Sequence, residues 1–107
     1  MSEPIYMLVW GGDWTEAGHQ LSQEEKDDLW AKVSAVDERA GAKWVLSCDS
    51  RWADESVAGW AVVVYPDIES YQQKVKGLEE LNWWRYFSAK TILGTKTVGF
   101  DTEYSGP

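Results

Sequence analysis

The chain has 107 residues, 44% hydrophobic and 26% charged, which fits one soluble globular domain and excludes a large multidomain enzyme. Eighteen acidic residues against ten basic ones give a formal charge of −8, and residues 1–55 carry −7 of it. That balance opposes nonspecific attachment to a phosphate backbone or an anionic membrane, so neither nucleic acid nor a membrane is expected as a partner. Cys48 alone forms no intramolecular disulfide, and one histidine is too few for a histidine-rich metal site. The opening Met1-Ser2-Glu3-Pro4 lacks a basic segment before a long apolar run, and no apolar run approaches the length of a membrane helix, so neither export nor membrane insertion is expected and a cytoplasmic placement is.

Ile5 through Trp10 read as the first strand, closed by a turn at Gly11-Gly12, with Trp14 folding over the sheet edge. Ser22 and Glu25 make a capping-box pair that opens a helix, with Leu29, Val33, Val36 and Ala40 on one face and a stop at Gly41. Asp28 and Lys32 are spaced for a surface ion pair on its outer side. Lys43–Cys48 and Gly59–Tyr65 follow as strands, joined through the region 49–56. Pro66 ends the third strand, and Asp67 caps a second helix with Ile68, Tyr71, Val75 and Leu78 on its buried face. Gly77 is expected to bend or interrupt that helix before another turn over 79–87. A last strand is expected over Ala89–Val98, with a bulge at Gly94.

The βαββαβ order, the apolar third strand and the segment with Leu78, Leu81, Trp83, Trp84 and Tyr86 resemble a ferredoxin-like domain of the dimeric α/β-barrel superfamily, over about residues 4–100. The resemblance implies an α+β fold: a four-stranded antiparallel sheet with two helices on one face, and a homodimer in which two sheets form a barrel. Strand three fits this implication. Trp60, Val62 and Val64 alternate with Ala61, Val63 and Tyr65, so both of its faces are apolar and the one without helices needs a partner, a ligand or a covering loop.

The candidate substrate-binding residues are Tyr6, Trp10, Trp14, Trp60, Trp83 and Trp84, whose rings can stack on a planar apolar molecule or simply fill the core and an interface. Trp83 and Trp84 point different ways on a helix, so at least one of them is structural. The candidate catalytic residues are His19, Asn82 and Tyr86: His19 as proton acceptor, oriented by Asp13 or Glu16, and the other two as donors to developing oxygen charge. Each also has a plain reading as a loop or packing residue. Cys48 reads as a strand residue or a nucleophile, and Asp49, Arg51, Asp54 and Glu55 as a solvated loop rather than a metal site. Gly11-Gly12 reads as a turn rather than a phosphate loop.

The superfamily resemblance further implies small oxygenases, isomerases and haem-related enzymes. The histidine that haem-binding relatives carry on the second helix is missing here, so no cofactor is expected, with haem the alternative through His19. The expected activity is cofactor-independent monooxygenation of a small hydrophobic, aromatic or polyketide-like molecule. An isomerase of the same fold, and a noncatalytic dimeric ligand-binding or interaction protein, are the alternatives.

Overall fold

A computed structural model describes residues 3–53 and 57–98. The elements run β1 (Ile5–Trp14), α1 (Glu16–His19), α2 (Gln23–Arg39), β2 (Lys43–Asp49), β3 (Gly59–Tyr65), α3 (Ile68–Glu80), α4 (Trp83–Tyr86) and β4 (Phe87–Gly94). The strands form one antiparallel sheet in the order β2-β3-β1-β4. This is the ferredoxin-like topology expected, with α1 and α4 as short additions. No described helix is long and apolar enough to cross a membrane.

Register assigns the two sheet faces. Ile5, Met7 and Val9 pair with Tyr65, Val63 and Ala61, and these side chains meet the helices: Met7, Ala61, Val63 and Tyr65 are buried. Tyr6, Leu8 and Trp10 pair with Val64, Val62 and Trp60 on the opposite face, which carries no helix. One core cluster joins Met7, Val63 and Tyr65 to Ala40, and another joins Leu29, Val33 and Val36 of α2 to Leu78 and Trp83.

The local signals of α2 act as read. Ser22 Oγ accepts from Glu25 N at 3.1 Å while Glu25 Oε1 accepts from Ser22 N at 2.9 Å, satisfying two amides that the helix cannot. Hydrogen bonds from the Ser22 backbone and side chain to the Glu25 carboxyl hold its pKa below the ordinary value. Gly41 ends the turn after α2 at φ +74°, and Lys32 pairs with Asp28 at 3.0 Å. Asp67 caps α3 by accepting from Ser70 N at 2.7 Å.

Several boundaries differ from expectation. β1 does not end at Gly11-Gly12 but continues to Trp14: Gly11, at φ +67°, forms a bulge within the pairing of β1 with β4, between Trp10 and Asp13. The bulge turns Gly12 and Trp14 toward the helices, where the Phe87 ring covers Gly12. β4 starts at Phe87 and ends at Gly94, so Gly94 terminates the strand rather than bulging it. α3 runs through Gly77 without a break, and Ile68 is exposed while Leu78 is buried, because contact with α2 falls on the later turns.

Candidate functional site

Trp14, Trp30, Trp83 and Phe87 form a four-ring cluster at one end of the helix–sheet interface, and all six ring pairs are in contact. Centroid distances run from 4.8 Å, for the stacked Trp83 and Phe87, to 6.3 Å, for the edge-on Trp14 and Trp83. The edge-on geometry places positive ring edges against negative faces, which stabilises each pair beyond its area. Lys26 adds a cation 5.3 Å from the Trp14 ring centroid.

Beside this cluster an open cleft of about 330 Å³ lies between α2 and the sheet. Trp30 comes from α2; Val9, Trp44, Ser47, Ala61, Phe87 and Ala89 come from the strands, with Gly12, Ala58, Gly59 and the strand segments at Trp10, Cys48 and Trp60 completing the wall. Such a volume and apolar lining suit a small planar ligand. The register shift of β2 after Trp44, which pairs with Val63, leaves this ring on the helix side. Ser47, opposite Ala61, adds a hydroxyl on the helix side, whereas Cys48 pairs with Trp60 on the other face; the lining contains no histidine or carboxylate among the described residues.

A second cleft, of about 420 Å³, adjoins the first at Trp30 and Trp44 and is further lined by Val33, Ser34, Asp37, Glu38 and Ala42. Asp37 belongs to a buried polar group between α2, α3 and the sheet. Tyr65 Oη donates to Asp37 Oδ1 at 3.2 Å, and Lys74 Nζ donates to Met7 Sδ at 3.5 Å while lying 5.3 and 5.6 Å from the Tyr65 and Tyr71 ring centroids. Burial raises the Asp37 pKa against the opposing pull of Lys74 and Tyr65, and burial lowers that of Lys74 against the field of Asp37. Tyr65 is pushed up by burial and by Asp37, and Tyr71 by burial, opposed by its hydrogen bond with Thr91.

The residues singled out from the sequence are divided among these features. Trp14 and Trp83 belong to the aromatic cluster, whereas Trp84 is 49% exposed, so the adjacent pair splits between core and solvent. Trp10 and Trp60 pair across β1 and β3 at the end of the first cleft, and Tyr6 lies farther along β1 opposite Val64. His19 is largely exposed, with Nε2 4.0 Å from Asp13 Oδ1, so the expected partner is present in a solvated setting. Asn82 is an exposed left-handed residue at φ 53° before α4, and its side chain makes no cap hydrogen bond. Tyr86 packs beside the core and lines a groove with Leu21, Glu25 and Leu29. Thr15, which donates to the carbonyls of Tyr86 (3.0 Å) and Arg85 (2.6 Å), brings α1 beside α4. None of His19, Asn82 and Tyr86 lines the aromatic cleft.

In the loop after β2, Asp49 Oδ1 accepts from Arg51 N at 3.2 Å, and Trp52 Nε1 donates to the Asp49 carbonyl at 2.9 Å. Asp54 and Glu55 lie outside the described residues. Trp30, Phe87 and Asp37 join these features without having been expected from the sequence. Trp30, Val33 and Asp37 recur at helical spacing beside the Leu29–Val33–Val36 stripe, a pattern that places an indole and a carboxylate on the same flank of α2.

No family model matches the chain, and no curated protein matches it. Among solved structures it is similar to SnoaB, a cofactor-independent oxygenase from Streptomyces nogalater, with a TM-score of 0.53 and 13% identity. The match covers 95% of this chain and 100% of that one. The likeness is one of fold: a ferredoxin-like βαββαβ topology with one four-stranded antiparallel sheet.

Proposed function

We propose that the protein is a small homodimeric enzyme that binds a hydrophobic aromatic or polyketide-like molecule between α2 and the sheet and oxygenates it without a bound cofactor. The observation that carries this reading is the cleft walled by Trp30, Trp44 and Phe87, whose rings can hold a planar substrate by dispersion and stacking. The fold shared with a cofactor-independent oxygenase supports the reaction class by analogy. The helix-free sheet face, with Leu8, Leu46, Trp60 and Ile92 exposed, supports pairing with a second copy.

An enolisable substrate carrying a CH₂ group loses one proton and becomes an enolate. The enolate carbon bonds to O₂, giving a hydroperoxide after protonation; loss of the second C–H proton and cleavage of the O–O bond then give a carbonyl and water. One oxygen atom enters the substrate and the other leaves as water, so substrate and O₂ alone account for the electrons. The cleft holds the ring system in place for these steps.

A noncatalytic binding protein is the second reading, favoured by the lack of a histidine or carboxylate among the described lining residues of the aromatic cleft. Isomerisation uses the same first proton loss without O₂. A hydroxylated anthrone, a planar phenol with an acidic CH₂, separates these outcomes. Quenching of tryptophan fluorescence, with one O₂ consumed per anthraquinone formed in the presence of chelator, supports oxygenation. Quenching without O₂ uptake or rearrangement assigns a binding protein, and failure to quench overturns the cleft as the site.

A further inference from the structure

The two clefts share Trp30 and Trp44 as walls, so a ligand lying along these rings would span a groove with an aromatic end and a polar end that carries Asp37. We propose that Asp37 is the proton acceptor of this groove, taking the acidic C–H or O–H proton of a planar ligand held against Trp30 and Trp44. The proposal rests on the groove being the ligand site, and it moves the base from the exposed His19 to a carboxylate that the aromatic walls already adjoin.

Placement supports the role. Asp37 stands two helical turns after Trp30 and one after Val33, so all three share a flank of α2 facing the groove. Its side chain is fixed: Oδ1 accepts from Tyr65 Oη, and Tyr65 is itself fully buried. Asp37 lines the second cleft and keeps 9% of its surface exposed, so the residue can be reached from the groove. Tyr65 thus holds Oδ1 for orientation, which leaves Oδ2 as the oxygen to meet a ligand that enters the cleft. A carboxylate taken largely out of water is also a stronger base than one in solution, and burial acts on Asp37 in that direction.

The proton balance closes on this one group. The substrate C–H bond breaks, its proton passes to Asp37 Oδ2, and the electron pair stays on the substrate as an enolate. After O₂ adds, the protonated carboxyl returns that proton to the terminal peroxide oxygen. Asp37 then accepts the second C–H proton as the O–O bond breaks and the carbonyl forms, and it hands that proton to the departing hydroxide to give water. Asp37 ends ionised, as it began.

The groups facing Asp37 set the pH at which it is ready. Tyr65 on β3 and Lys74 on α3 both stabilise its ionised form, Tyr71 on α3 faces the same Lys74, and Glu38 on α2 lines the same cleft.

The test is proton exchange without oxygen. Under argon in D₂O, wild-type protein is expected to speed exchange of the anthrone CH₂ above the buffer rate, increasingly as pH rises through the Asp37 pKa. Asp37→Asn, which can still accept from Tyr65, should lower the protein-dependent exchange at least 100-fold with ring quenching retained; His19→Gln should leave it unchanged. Tyr65→Phe keeps the carboxylate and removes a hydrogen bond that stabilises its charge, so it should move the pH limb upward and serves where Asp37→Asn fails to fold. Wild-type exchange without O₂ uptake in air would sink the oxygenase reading while Asp37 stands. Retained exchange in Asp37→Asn, an unmoved limb in Tyr65→Phe, or no wild-type exchange despite O₂ uptake overturns the assignment.

Discussion

Gly77 on α3 lies so close to Val36 on α2 that a Cβ added there would stand 2.7 Å from Val36 Cγ1 and 3.1 Å from Cγ2. The glycine is thus a contact residue between the helices rather than a break in one. Alanine at this site gains about 1 kcal/mol in helix propensity, but forcing a methyl group into that contact costs about 1–3 kcal/mol. We expect Gly77→Ala to lower stability by about 1 kcal/mol in urea denaturation. Adding Val36→Ala should then cost less than it does alone, because the two changes share the same space; additive losses would show that the helices do not meet there.

Trp83 and Trp84 offer a second comparison within one turn. Trp83 is 7% exposed and stacks on Phe87, whereas Trp84 is 49% exposed. Trp83→Ala is expected to cost about 3–5 kcal/mol, the usual penalty for emptying a buried aromatic site. Trp84→Ala should change stability by no more than about 0.5 kcal/mol. Denaturant midpoints read the difference directly, and equal losses would contradict the burial of this turn.

The elements were readable where local chemistry decides them. Ser22 with Glu25, Asp67, Gly41 and the alternation of β3 each act within a few residues, and each has the predicted consequence in the structure. The misread positions depend on partners distant in sequence: Gly11 bulges within a strand because β4 pairs beyond it, and Gly77 looks like a helix breaker until Val36 is placed against it. The candidate site was legible only in part for the same reason. An abundance of tryptophan predicts an aromatic cleft, but the selection of Trp30, Trp44 and Phe87 as its wall follows from strand register and helix placement. Asp37 follows Val36 and resembles a solvent-facing position; only packing against Tyr65 and the nearby Lys74 makes it a buried carboxylate.

Lys74 gives stability a definite pH dependence. Burial holds its pKa below the ordinary 10.5, so between that lowered value and 10.5 the unfolded chain binds more protons than the folded one. Stability contributed by this group therefore rises with pH across that window. Tyr65 acts in the opposite sense only above its ordinary 10.0, because its folded pKa is raised. Lys74→Met keeps an unbranched side chain beside Tyr65, Tyr71 and Met7 but removes the titrating amine. The stability of wild type relative to Lys74→Met should increase as pH rises from neutral toward 10; a pH-independent difference in urea denaturation would contradict the burial of the amine.

Across the helix-free sheet face, Leu46, Val62, Leu8 and Ile92 stand opposite one another in register, so one apolar row crosses β2, β3, β1 and β4. Leu8, Leu46 and Ile92 are 37%, 42% and 58% exposed. A contiguous row of this kind is costly to leave in water, and a second sheet laid face to face removes it. Sedimentation should therefore find a dimer whose apolar row is buried. Leu8→Lys places a cation at the centre of the row. A lone monomer tolerates it, because the lysine remains in solvent, but a paired sheet must bury its charge without a partner. The expected result is a monomer with unchanged far-ultraviolet circular dichroism. A wild-type monomer, or a Leu8→Lys dimer as tight as wild type, would remove this face from the assembly.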